Sequence, residues 1–284
     1  MSLFIISCSI DGDVLGEPPT KADPPSPAAP SLVPAKEVLK SFDIKFPNAT
    51  DVTWSVNDSY YVADFAELSS TVNAWFEPEG AWLLSKTSLT SAQLNKEVEK
   101  TFQNSLYASY QLIGRSRLDR RDLGCVYLIE TSQGAQHTTI YYTENGDFIK
   151  TVKSAGAYTD KPLEIPEQVA ALVASRFAGA QILDVWEDSL SPKAGVMENN
   201  TYKVATFTSA YEWVSTLWVV EEPAVPAVVM NSFKTSTHGA SQIECIRIME
   251  HSEDLSYLFY FFEGGKNKIA TLLKSGHFVS IISY

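Results

Sequence analysis

The chain has 284 residues, 45% of them hydrophobic and 20% charged, which is enough apolar material for one large or two ordinary cores. Its 34 acidic residues outnumber 22 basic ones, a net charge of −12 that speaks against nucleic acid as a partner, because phosphate binding needs a basic face. No apolar run reaches the roughly 18 residues of a membrane-spanning helix. The 14 Phe and 13 Tyr against 4 Met point to β-rich structure.

The N-terminal run "LFIISCS" at 3–9 places Ile5-Ile6-Ser7 before Cys8. Two aliphatics, a small residue and a cysteine make a lipobox-like pattern, the end of a lipoprotein-type signal over 1–8 with Cys8 as the lipidation site. The usual basic n-region is missing, so a chance apolar N-terminus stays as the alternative. Residues 9–35 carry seven prolines and little hydrophobic pattern. That composition reads as an extended, largely disordered tether, set at 9–33, ahead of the first helix. Of the remaining cysteines, Cys125 and Cys245 either pair or stand as separate buried thiols.

A helix is predicted over 34–46, with Val38, Leu39, Phe42 and Phe46 on one stripe and Pro34 at its start. Four strand-like runs follow, at 51–56, 60–67, 71–77 and 81–87. A second helix is predicted over 90–106, capped by Thr90 or Ser91, then strands near 111–118, 125–131, 138–143 and 148–154. A third is predicted over 166–177, then strands near 181–188, 202–209, 215–221 and 227–234, with "SPKAGVMENN" as an insertion between the first two. In the fourth stretch "STHGASQ" stands where a helix is due and is too short and polar to be a good one. Its strands lie near 244–251, 255–262, 268–273 and 277–283.

A motif marks the period. "GAWLL" at 80–84, "GDFIK" at 146–150 and "GHFVS" at 276–280 lie 146 − 80 = 66 and 276 − 146 = 130 residues apart, one and two steps of about 65. Each glycine suits a tight turn between two strands, and the aromatic two residues later opens the last strand and packs under the helix. The expected fold class is therefore α+β: tandem repeats of one helix plus a four-stranded antiparallel sheet, four units in all, with the last helix degraded. They pair into two domains, 34–156 and 157–284, joined by a Gly- and Pro-bearing stretch.

Phe46-Pro47 with Ala49, Val52-x-Trp54, Tyr61-x-Ala63-x-Phe65, Ala74-Trp75-Phe76 and Gly80-x-Trp82-Leu83 resemble the PepSY-like family, also described as β-lactamase-inhibitor-protein-like. The resemblance covers about 45 residues well and fades toward the C-terminus. It implies an exported protein of a Gram-negative gut bacterium, with a helix packed on a four-stranded antiparallel sheet, often as tandem pairs that merge into one curved sheet. Inhibition of β-lactamases would come only by analogy of fold, which does not license function.

A search for chemistry finds little. His137, His238, His251 and His277 show no metal-ligand spacing, no GxSxG is present, and the basic stretch "RSRLDRR" at 115–121 is either a patch that pairs with the acidic surface or an anionic partner, or a solvated hairpin. No cofactor and no enzymatic activity are expected. A sheet covered by helices on one face leaves the other free. If Ala63, Phe65, Ala74 and Phe76 face the helix, Tyr60, Trp75 and Tyr141 point the other way as candidate binding residues. The resulting expectation is a non-catalytic binding or inhibitory module of the cell envelope. It would be periplasmic or an outer-membrane lipoprotein, with membrane contact only through an N-terminal lipid anchor. Its partner would be an envelope or secreted protein or peptide. The alternative is a structural or accessory subunit of an envelope complex.

Overall fold

The structure, a computed structural model, describes residues 13–14, 32–156, 158–188, 191–252 and 254–284. The expectations for Cys8 and for most of the tether lie outside these residues. Contacts divide the chain into two compact units that meet in sequence at Glu164/Ile165.

In the first unit a two-residue strand, β1 (Asp13–Val14), precedes α1 (Lys36–Lys45). Then come β2 (Thr50–Asn57), β3 (Tyr60–Glu67), β4 (Ser70–Phe76) and β5 (Trp82–Ser88). α2 (Lys96–Gln103) follows, then β6 (Gln111–Arg120), β7 (Val126–Gln133), β8 (Gln136–Tyr142) and β9 (Phe148–Ser154). The second unit holds α3 (Glu167–Arg176), β10 (Gln181–Asp188), β11 (Ser191–Glu198), β12 (Thr201–Phe207) and β13 (Trp213–Val220). It ends with α4 (Ala227–Thr235), β14 (Ile243–His251), β15 (Asp254–Glu263), β16 (Lys266–Leu273) and β17 (Phe278–Ser283).

The fold class differs from the expectation. The protein is mostly β, with helices of only 10, 8, 10 and 9 residues. Its strands do not form four separate four-stranded sheets. Strands β2 to β9 make one antiparallel meander of eight, and β10 to β17 make another. The joins are β5 with β6, where Leu84 opposes Arg120 and Lys86 opposes Leu118, and β13 with β14, where Trp218 opposes Ile248. A four-stranded sheet would leave a row of unpaired N–H and C=O groups at that position; pairing across it satisfies them. At the far edge of the first sheet β1 adds parallel to β9, Asp13 beside Thr151 and Val14 beside Val152.

The fourth helix corrects a second expectation. "SPKAGVME" is not an insertion but β11, and 227–234 is not a strand but α4, so the last helix is present just ahead of "STHGASQ". Val225, Val229 and Phe233 recur every four residues and are buried against Phe259 and Phe261. Their β-branched neighbours make the run look like a strand, but burial along one helical face outweighs that weak propensity. In β11 the turn-like Pro192 and Gly195 mask an alternation whose inward residues, Ala194 and Val196, are fully buried. α2 also begins later than predicted. Asn95 is its N-cap, its side chain accepting from the Glu97 N–H at 2.8 Å, while Thr90 belongs to a separate turn.

Helices cover one face of each sheet. Val38, Phe42 and Phe46 pack on Ala63, Phe65, Val72, Ala74 and Phe76, with the Phe42 ring edge-on to Phe65 at 5.0 Å. α2 packs Val98 and Phe102 on Ile129, Ile140, Tyr142 and Phe148. In the second unit α3 lies on Ala194, Val196, Ala205 and Phe207. Phe46 and Phe177 end their helices alike: each bonds back to the residue four earlier, at 2.8 and 2.9 Å, and its carbonyl accepts from the residue three later.

Candidate functional site

The side chains that alternate away from α1 and α2 form the helix-free face of the first sheet. Cross-strand register lines them up in rows. One row runs Ser55, Val62, Trp75, Leu84, Arg120; the next runs Thr53, Asp64, Asn73, Lys86, Leu118; a third runs Ser116, Leu128, Tyr141, Lys150. Period two places these residues on one side of the pleat.

Trp75 and Tyr141 are on this face, but neither is a free surface. Trp75 is 1% exposed and Tyr141 2%; only Tyr60, at the rim, is half-buried. Their place as an open binding surface is therefore corrected. Trp75 packs beside the Tyr60 ring at 5.9 Å, and its indole N–H donates to Asn73 at 2.6 Å, which in turn donates to Asp64 at 2.7 Å. Tyr141 carries the Lys150 ammonium 4.9 Å over its ring and donates its hydroxyl to Asp160 at 2.5 Å.

Asp160 lies in the segment between β9 and α3. It also pairs with Lys86 on β5 at 3.2 Å, and the adjacent Lys161 reaches Asp58 in the β2–β3 turn at 2.9 Å. These contacts carry the segment back across the helix-free face from β8 to the β2–β3 turn. Strand alternation shows which face a side chain takes, not what later closes over it. Lys86 is the hub, held by Asp160 and by Glu130 at 2.7 Å. Burial works against its charge, but the two carboxylates overcome this and raise its pKa above the usual lysine value. The exposed remainder of the face is polar: Thr53, Ser55, Asp64 and Thr71.

The comparisons with known proteins fall on these strands. Residues 59–150 match the model of a family described as "Putative beta-lactamase-inhibitor-like, PepSY-like". This segment of the chain is PepSY-like. It starts at the threshold of β3 and ends in β9, so it holds Tyr60, Trp75, Lys86 and Tyr141 but less than half of the chain. It runs further toward the C-terminus than the residues that suggested the family, and it leaves out their first part, Phe46 to Trp54. Among solved structures, a BLIP-like protein from Bacteroides fragilis is 25% identical, with 46% of this chain and 94% of that one covered and a TM-score of 0.44. A DUF2874 family protein from Bacteroides ovatus is 28% identical over 44% of this chain and 92% of that one, with a TM-score of 0.42. Another from Bacteroides uniformis is 22% identical over 44% and 92%, with a TM-score of 0.41. No curated protein matches the chain.

Among the described residues no three His, Cys, Asp or Glu side chains gather as a metal site, and no helix is long and apolar enough to cross a membrane. Cys125 is a free, half-buried thiol, so it does not pair with Cys245; burial pushes its pKa up, away from thiolate chemistry. The arginines of "RSRLDRR" are not an open anion site. Arg115 pairs with Glu99 at 3.4 Å, Arg117 with Asp119 at 2.7 Å, Arg121 with Glu77 at 3.2 Å, and Arg120 is buried.

Proposed function

We propose that this protein is a non-catalytic binding module of the cell envelope that engages another protein or peptide through the helix-free face of its first sheet. The observation that carries the reading is the coincidence of the PepSY-like segment with β3 to β8 of this face, which hold Tyr60, Asp64 and Thr71; β2, with Thr53 and Ser55, lies just ahead of it. The contact surface is the polar part left open, Thr53, Ser55, Asp64 and Thr71 with Tyr60 at the rim, rather than the buried Trp75 and Tyr141. Export to the envelope rests on the lipobox-like run ending in Cys8. The second reading, an accessory subunit of an envelope complex, is favoured only if capture depends on a sheet edge instead.

The test is site-specific photo-crosslinking in the native host. A photoreactive residue at Thr53 or Asp64 should capture a discrete partner, and one at the exposed Ile44 on α1 should not. Equal capture from both sides, or none from the face, removes the proposal.

A further inference from the structure

β1 is a strand of two residues laid parallel on the outer edge of β9, Asp13 beside Thr151 and Val14 beside Val152. Among the described residues it is the only part of the chain ahead of residue 32. It belongs to the same compact unit as its sheet, a unit that runs from Asp11 to Glu164. The edge of a sheet presents a row of N–H and C=O groups that another extended segment can satisfy. β1 meets only two positions of β9, which runs for seven residues from Phe148 to Ser154.

The offset of this pairing, 151 − 13 = 138, carries Asp11 to Ile149 and Gly16 to Ser154, the last residue of β9. The sequence stops at the same place. After Gly16 and Glu17 come Pro18 and Pro19, which have no N–H to give to a ladder. Charge agrees with the register. β9 reads "FIKTVKS", with two lysines and no acid, whereas "DGDVLG" at 11–16 has two aspartates and no base. In a chain of net charge −12, a basic strand is the edge that an acidic segment favours. The connection is also long enough. Val14 lies 36 − 14 = 22 residues before Lys36, the first residue of α1, a reach of about 70 Å when extended. α1 packs on β3 and β4, and β9 lies six strand spacings from β3, about 30 Å.

We propose that the β9 edge is a docking site for an extended segment, and that its occupant is this chain's own residues 11–16, paired in parallel along 149–154. The N-terminal stretch is then more than a passive spacer. It folds back on the first unit, ends its sheet and keeps the β9 edge closed to other strands. Its release opens that edge to strand addition by an extended peptide. Tethering selects the occupant: a segment joined to the sheet through the stretch ahead of α1 has an effective concentration of about a millimolar, far above that of a second copy in dilute solution. The register of Asp13 and Val14 on β9 is the first part of this pairing. The inference is independent of the helix-free face, which is the surface of the sheet and not its edge.

Amide hydrogen exchange along 148–154 in the full chain, resolved by residue, is the test. In the unaltered protein the amides of β9 that do not bond to β8 should still be protected. Successive residues of a strand send their N–H groups to opposite sides. Asp13→Pro or Val14→Pro therefore deletes a bond to β9, and the other deletes an outward N–H, which an edge strand tolerates. At least one of the two variants should speed exchange of those β9 amides by about tenfold or more. Thr20→Pro, beyond Pro18 and Pro19, should leave them as they are in the unaltered protein. Free exchange in the unaltered protein overturns the proposal, and so does no change in either variant at 13 or 14. Equal acceleration by Thr20→Pro overturns it too, because the pairing is then not local to 11–16. Protection that rises with protein concentration also overturns it, because the occupant is then a second copy.

Discussion

Gly80 lies against the backbone of Glu37: a Cβ at Gly80 would come within 2.7 Å of the Glu37 carbonyl oxygen. Gly146 meets Glu97 in the same way at 2.6 Å, and Gly276 approaches the Val228 carbonyl at 3.0 Å. All three have positive φ, at 94°, 84° and 84°. The repeated glycine thus serves two needs, a left-handed turn and contact with the first turn of a helix. Gly134 also has positive φ, at 63°, but open space where its Cβ would go. Gly80→Ala should therefore cost about 2 kcal/mol or more, and Gly134→Ala about 1 kcal/mol. Chemical denaturation of the two variants measures the difference, and equal losses would show that conformation alone matters.

Trp75→Ala tests the burial of the helix-free face. An exposed indole would lose little on truncation. With Trp75 1% exposed and its N–H bonded to Asn73, the loss should be about 3–5 kcal/mol, of the same order as Phe76→Ala on the opposite side. A Trp75 variant within about 1 kcal/mol of the unaltered protein would mean that this face opens in solution.

The Asp160–Lys86 pair should couple the crossing segment to the sheet. A double-mutant cycle of Asp160→Asn and Lys86→Met should give a coupling of about 0.5–3 kcal/mol, since both side chains are largely buried. The pKa of Lys86 is raised on folding, so its contribution is complete below the unfolded value and is lost as pH rises through the folded one. Lys86→Met should accordingly remove part of the alkaline decline in stability. An unchanged alkaline limb and additive single variants would contradict the role.

Glu263 gives the acid-side counterpart. Hydrogen bonds from Lys268 at 2.7 Å, from His238 at 2.9 Å and from Ser241 at 3.0 Å hold its carboxyl at about 2, below the ordinary 4.5. A depressed pKa means stability that is present above the unfolded value and lost as pH falls through the folded one. The unaltered protein should lose stability between about pH 4.5 and 2, and Glu263→Gln should flatten that window. Urea denaturation across this range checks it. A slope of the same size in the Gln variant would assign the acid sensitivity to other carboxylates.

The sequence by itself determined what depends on near neighbours. Alternation located most strands to within a residue or two, and it put Phe65 and Phe76 under α1 with Trp75 on the opposite side. The glycine and aromatic spacing marked three of the four hairpins that close onto helices. The fourth escaped because Tyr211 takes the glycine's position, at φ 61° with the same turn bonds, from its N–H to Thr208 and from the Thr208 N–H to Glu212. A turn defined by backbone geometry is invisible when its usual residue is replaced. Tertiary structure decided the rest. The pairing of β5 with β6 and of β13 with β14 turned expected four-stranded units into eight-stranded sheets, and no local pattern records which edges meet. α4 hid behind β-branched residues until its burial against Phe259 and Phe261 outweighed propensity. Trp75 and Tyr141 changed from candidate contacts to covered residues because alternation assigns a side chain to a face, whereas burial depends on what later crosses that face. Here Asp160, 160 − 75 = 85 residues beyond Trp75, helps to close it.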